Sequence, residues 1–137
     1  MTLAQQQSEL TEQLAAFKNG QDRLAQLVER AKKIPKLPST HRVDGNLLSG
    51  CLAKLWFVAE FRAGQCHFVC DSDSLVVKAI AGLLCDFYSG HAPRDILAHN
   101  PEFLAPLGIT QHLTSNRRNA LGQVWERIRT FAELQVK

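Results

Sequence analysis

The sequence holds 137 residues, 45% hydrophobic and 21% charged, with a formal net charge of +3 at pH 7. That length suits one domain, residues 1–137, able to bury a real core without disulfides or a structural metal. The small charge comes from scattered basic residues, which argues against nucleic acid as a partner, and no run is long and apolar enough for an export signal or a bilayer span, so the expected location is the cytoplasm with no membrane association.

Residues 2–34 lack internal proline and place Leu10, Leu14 and Phe17, then Leu24, Leu27, Val28 and Ala31, at three- and four-residue spacing. This predicts two amphipathic helices broken near Asn19-Gly20. The first is glutamine-rich and weakly apolar before Leu10, so residues 1–16 are read as a helix prone to fray. Pro35 and Pro38 end the helical pattern and begin an extended connector. Residues 42–48 read as a short strand leading to Cys51, which follows Gly50 in a polar, glycine-bounded break.

Residues 55–62 and 65–70, joined at Ala63-Gly64, predict a hairpin. Strand alternation puts Cys66, Phe68 and Cys70 on one face and His67 and Val69 on the other. Asp71-Ser72-Asp73-Ser74 reads as a helix start rich in capping side chains, which accounts for both acids. The helix that follows carries a wide stripe of Leu75, Val76, Ala79, Ile80, Leu83, Leu84 and Phe87, and ends at Ser89-Gly90. Pro93 and Pro101 each open a short helix, residues 93–99 and 101–107, with Gly108 as a stop. The last helix begins at Leu113-Thr114-Ser115 and lines one side with Leu121, Val124, Trp125, Ile128, Phe131 and Leu134. The expected fold is α+β, a small antiparallel sheet of about three strands packed against N- and C-terminal helices.

Four cysteines without an export signal favour free thiols, and no CxxC pair occurs. Cys66, Cys70 and Cys85 read as small core residues. Arg117 and Arg118 defy local preference, because positive charge in the first turn of a helix opposes its dipole. If that helix start faces the Cys51 loop, the guanidinium groups favour a thiolate or persulfide anion. Otherwise they are solvated, or pair with Asp71, Asp73 or Glu102. His112, just before the helix, suits a metal ligand, a proton carrier or a loop cap.

Four stretches, in order and at like spacing, resemble motifs of the SufE-like sulfur-acceptor family, partners of cysteine desulfurases in iron–sulfur cluster assembly. Ile34-Pro35-Lys36-Leu37 is similar to L-P-x-L, and Asn46 onward to Trp56 is similar to N-x-I-x-G-C-x-S-x-V-W. Asp71-Ser72-Asp73 onward to Lys78 is similar to D-S-D-A-x-I-V-K-G, and His112 onward to Leu121 is similar to H-L-[ST]-P-S-R-x-x-G-L. The resemblance runs from about Phe17 to the C-terminus. It implies a fold like that of SufE and the iron–sulfur scaffold proteins, with Cys51 as persulfide acceptor. It also implies site roles for Arg117, for Asp73 beside the acceptor loop and for His112, with Leu47, Leu48 and Leu52 sheltering the sulfur. The implied partners are a cysteine desulfurase, which carries the pyridoxal phosphate, and a downstream iron–sulfur scaffold or other acceptor. The chain itself is expected to bind no cofactor or metal, and to be a carrier and desulfurase activator rather than an enzyme. Ala53, Ala79 and Asn116 depart from the family's serine, glycine and serine. Two other readings remain at this point: a scaffold binding metal through Cys51, Cys66 or Cys70 and His112, and a thiol enzyme with Cys51 as nucleophile and His112 as base.

Overall fold

The computed structural model describes residues 1–48 and 53–136. Helix α1 (Leu3–Ala15) opens on a capping box, in which the Thr2 hydroxyl accepts the Gln5 N–H and the Gln5 side chain accepts the Thr2 N–H. Leu3 and Leu14 are buried, and Gln6 Nε2 donates to Phe87 O at 2.8 Å, so the glutamines that weaken the apolar pattern also dock the helix. Helix α2 (Gly20–Ala31) starts on Asn19, whose side chain accepts the Asp22 N–H. The Arg23 guanidinium then donates to the carbonyls of Leu14, Phe17 and Leu107, binding the break between the two helices to a distant turn.

Strands β1 (Leu55–Arg62) and β2 (Gln65–Ser72) form the predicted antiparallel hairpin, with Phe57 opposite Cys70 and Ala59 opposite Phe68. The turn is made by Ala63 and Gly64, both at positive φ, as a tight hairpin with right-handed strand twist requires. One face carries Phe57, Cys66, Phe68 and Cys70 into the core. There Phe57 stacks on Phe68, whose ring meets the edge of Phe131 from α5 (Ser115–Gln135). Helix α3 (Leu75–Tyr88) packs against β2, α2 and α5; of the predicted stripe Ala79, Ile80, Leu84 and Phe87 are buried, whereas Leu75 is exposed and Val77, Ala81, Cys85 and Tyr88 are buried outside it.

The sheet among the described residues has two strands, where the sequence reading expects about three. Within residues 42–48 the backbone closes on itself. The Asn46 N–H donates to Val43 O and the Leu47 N–H to Asp44 O, making a 3₁₀ turn at Asp44–Asn46. Only Leu47 and Leu48 are left to meet β1, through an isolated antiparallel bridge from Leu47 to Trp56 and the Leu48 N–H on Leu55 O. Two helices also differ from expectation. The first-turn proline of α4 (Pro93–Leu97) is as predicted, but Pro101–Leu107 winds as a 3₁₀ helix containing Pro106, which lacks an N–H for an α-helical ladder. Leu134 points to solvent rather than joining the buried side of α5. Among the described residues, no helix is long and apolar enough to cross a membrane.

Two glycines give opposite tests of this packing. A Cβ on Gly20 would lie 2.3 Å from the Gly108 carbonyl oxygen, whereas one on Gly122, inside α5, would meet nothing within 4 Å. Urea unfolding should therefore show Gly122→Ala stabilised by about 0.5–1 kcal/mol, from helix propensity alone. Gly20→Ala should be destabilised, because two backbones must separate; equal midpoints for the two variants would contradict the close approach.

Candidate functional site

Cys51, with Ser49, Gly50 and Leu52, lies outside the described residues; the chain on either side of it is held by a specific set of bonds. On the N-terminal side Leu48 is buried and its N–H donates to Leu55 O at 2.9 Å, while Asn46 Nδ2 donates to His41 O. On the C-terminal side the Lys54 N–H donates to Asp73 Oδ1 at 3.0 Å. The Lys54 carbonyl accepts both the Ser72 hydroxyl at 2.6 Å and the Asp73 N–H at 3.3 Å. Both roots of the 49–52 segment are thus fastened to the hairpin. Asp73 does this directly, as an exposed side chain holding the residue three places beyond Cys51.

Of the stretch from Asp71 to Ser74, only the last residue serves as the helix start its composition predicts. β2 runs through Ser72, and Ser74 alone caps α3, its hydroxyl accepting the Val77 N–H. Asp71 is 2% exposed. Its Oδ2 accepts the Leu37 N–H at 2.9 Å and its Oδ1 the Ser72 N–H at 2.8 Å, and Oδ1 lies 3.4 Å from Lys78 Nζ. Lys78 Nζ also donates to Ile34 O at 2.8 Å. Arg42 lies 4.0 Å from Asp71 Oδ2 and places its guanidinium 4.5 Å above the Trp56 ring. Burial pushes the Asp71 carboxyl upward, but the Leu37 and Ser72 N–H groups and the Lys78 ammonium outweigh it and hold its pKa below the ordinary carboxylate value. Asp71 and Lys78 are not among the residues the sequence reading expects to act at the site. The signal for them is a lysine inside the apolar run Val76-Val77-Lys78-Ala79-Ile80, which folds well only with a buried anion.

Arg117 sits in the first turn of α5, after Thr114, whose hydroxyl accepts the Arg117 N–H. It lines a cavity of about 230 Å³ together with Ala53, Ser74, Val77, Thr114, Asn116 and Ala120. The start of the last helix therefore meets Ala53, the first described residue after the 49–52 segment, with Arg117 half-buried and Arg118 exposed. Among the described residues neither arginine pairs with Asp71, Asp73 or Glu102. His112 ends the turn Thr110–His112, is exposed, and does not line this cavity.

Cys66, Cys70 and Cys85 are free and buried. Burial pushes the Cys66 thiol up, and contact with the Cys70 sulfur, together with burial, pushes Cys85 well above the ordinary thiol value. Both are therefore held protonated and unreactive at neutral pH. Among the described residues no three His, Cys, Asp or Glu side chains converge as a metal site. The described members of the scaffold set are not brought together, with Cys66 and Cys70 in the core and His112 on the surface.

Two variants test the clamp. Asp71→Asn leaves Lys78 buried without a counter-charge and should cost about 3–5 kcal/mol in urea unfolding. Because the folded pKa is depressed, the Asp71 contribution is complete above the unfolded value of about 3.9 and is lost as pH falls through the folded value. Wild type should lose stability in that acid window more steeply than Asp71→Asn, and parallel curves would contradict the pairing. Asp73→Ala should speed amide hydrogen exchange at Lys54 while leaving Leu48 little changed; an unchanged Lys54 rate would remove Asp73 as the anchor.

Known proteins share both this sequence pattern and this fold. The sequence profile of the SufE family, described as an Fe–S metabolism associated domain, matches residues 8–132. Over 114 residues the chain is 33% identical to the chloroplastic quinolinate synthase of Oryza sativa subsp. japonica, covering 82% of this chain and 16% of that protein. Over 111 residues it is 30% identical to the cysteine desulfuration protein SufE of Plasmodium falciparum, covering 77% of this chain and 45% of that one. It thus spans less than half the length of either. An uncharacterized SufE-like protein of Synechocystis sp. is 24% identical over 131 residues, covering 96% of this chain and 82% of that one. The solution structure of a hypothetical protein from Thermus thermophilus superposes with a TM-score of 0.75 at 21% identity, covering 95% of each chain, which is a likeness of fold.

Proposed function

The chain belongs to the SufE family of Fe–S metabolism associated domains, and from that premise we propose that it accepts sulfane sulfur from a pyridoxal-phosphate-dependent cysteine desulfurase on Cys51 and passes it on for iron–sulfur cluster assembly. The observation that carries the reading is the fastening of the 49–52 segment at both roots, with the Arg117 cavity opening against Ala53. Leu48 and Lys54, three positions to either side of Cys51, are the residues so bonded. The remaining cysteines are buried, which supports Cys51 as the working thiol.

In the transfer, the Cys51 thiolate attacks the outer sulfur of the desulfurase's cysteine persulfide. A new S–S bond forms on Cys51 as the old one breaks, and the electron pair leaves with the desulfurase thiolate. The proton on the outer sulfur travels with it, so no outside oxidant or reductant is consumed. Removing sulfur in this way frees the desulfurase for another turnover, which is why the acceptor should stimulate it. Arg117, at the positive end of α5, favours the anionic forms of Cys51 before and after transfer. Asp73 serves as a positioning residue through the Lys54 N–H. His112 is within the same motif and is offered as a site residue that meets the docked partner from the surface. A pyridoxal phosphate group belongs to the desulfurase in this scheme.

The test is desulfurase turnover on free cysteine with increasing amounts of each variant. Wild type should stimulate sulfide or persulfide release, Cys51→Ser should give none of that stimulation, and Arg117→Ala should give about a tenth of it, the loss of one charge-assisted contact. Full stimulation by Cys51→Ser would overturn the proposal, and full stimulation by Arg117→Ala would return that side chain to an ordinary surface role.

A further inference from the structure

Between α2, the 34–37 segment, the outer edge of β2 and α3 lies a cavity of about 660 Å³ that the sulfur-transfer proposal does not use. Two of its lining residues are large hydrophobics held in water, Ile34 at 43% and Val69 at 46% exposure. Its rim carries Arg30 and Lys36, whose side chains make no hydrogen bond or ion pair with any described residue. Asp86 is the one carboxylate among the described residues that line it.

The backbone supplies the decisive feature. Along the outer edge of β2, the Cys66 N–H donates to His91 O, Cys66 O accepts the Gly90 N–H, and the Ser89 hydroxyl serves the Phe68 N–H and carbonyl. Two residues further, strand alternation turns the Cys70 N–H and C=O to the same edge, where Cys70 lines the cavity. Neither group has a partner among the described residues. An unpaired edge of this kind is a template for another strand. Gly82 adds to the case. A glycine inside a helix costs about 1 kcal/mol relative to alanine, and a Cβ here would make only an ordinary 3.7 Å contact with Ile34 Cδ1. Glycine leaves the floor of the groove open where packing does not demand it.

We propose that this groove binds a short extended segment of a protein partner, apolar at alternate positions and carrying carboxylates between them. Its backbone pairs with the Cys70 N–H and C=O. Its apolar side chains cover Ile34, Val69 and the floor at Gly82, and its carboxylates meet Arg30 and Lys36. Only a peptide supplies a carbonyl and an N–H together at strand spacing, which separates it from a simple amphipathic acid. The binding is independent of sulfur acceptance at Cys51.

The probe is an N-acetylated, C-amidated pentapeptide of alternating valine and aspartate, titrated into the ¹⁵N-labelled full chain. The expected result is saturable amide shifts at Val69, Cys70 and Gly82, absent when lysine replaces aspartate in the peptide. Lys36→Glu, an exposed change that leaves the fold intact, should weaken binding roughly tenfold, and Gly82→Leu, which fills the floor, should abolish it. Cys51→Ser should bind as wild type does. No saturable shifts, shifts elsewhere on the surface, or equal binding by the lysine peptide would overturn the proposal. So would equally strong shifts with decanoate, which would make the groove a small-acid pocket, or concentration-dependent shifts without peptide, which would make it a contact between copies of the chain.

Discussion

Asp71 accepts the Leu37 N–H on one oxygen and the Ser72 N–H on the other, 3.4 Å from the Lys78 ammonium, in a position 2% exposed to solvent. Desolvating two charges is expensive, and such a pair stabilises a fold only when its remaining hydrogen bonds are satisfied. Here they are satisfied by three separate parts of the chain: the 34–37 segment, the end of β2 and the first turn of α3. Lys78 returns the bond by donating to Ile34 O. Three of the four stretches that resemble the acceptor family are therefore parts of one electrostatic assembly or adjoin it. Asp73, two residues further along the chain, carries the constraint to the root of the Cys51 segment.

The periodic features are legible in the sequence because burial enforces them. Both N-terminal helices, the hairpin and its facing residues, helix α3 and the last helix follow from spacing that must match helix or strand geometry. The strand expected over residues 42–48 is replaced because the Asn46 and Leu47 N–H groups are satisfied by Val43 and Asp44 in a 3₁₀ turn, a local alternative that apolar patterning does not register. Asp71 reads as a cap because capping residues and buried strand-end acids have the same identity. What separates them is the partner, Lys78, seven residues on and on another element. Long-range electrostatic pairs of this sort leave little trace in local pattern.

For the site, chemistry and position are legible to different degrees. That Arg117 opposes the helix dipole is plain from the sequence. That it lines a cavity with Ala53 depends on how α5 crosses α3 and the hairpin, which no local rule supplies. The result is a division of labour along one chain. Cys66 and Cys85 lie in the core with their thiols pushed above the ordinary value, a paired acid and lysine fix the frame, and Leu48 and Lys54, on either side of residues 49–52, are bonded to the hairpin, with Arg117 beside Ala53.

The most direct measurement is intact-mass analysis of the chain after incubation with a cysteine desulfurase and free cysteine, followed by peptide mapping of any sulfur adduct. The account predicts added sulfane sulfur confined to the peptide bearing Cys51 and removed by thiol reductant. An adduct distributed over Cys66, Cys70 and Cys85 as well, or none with any of several desulfurases, would contradict it.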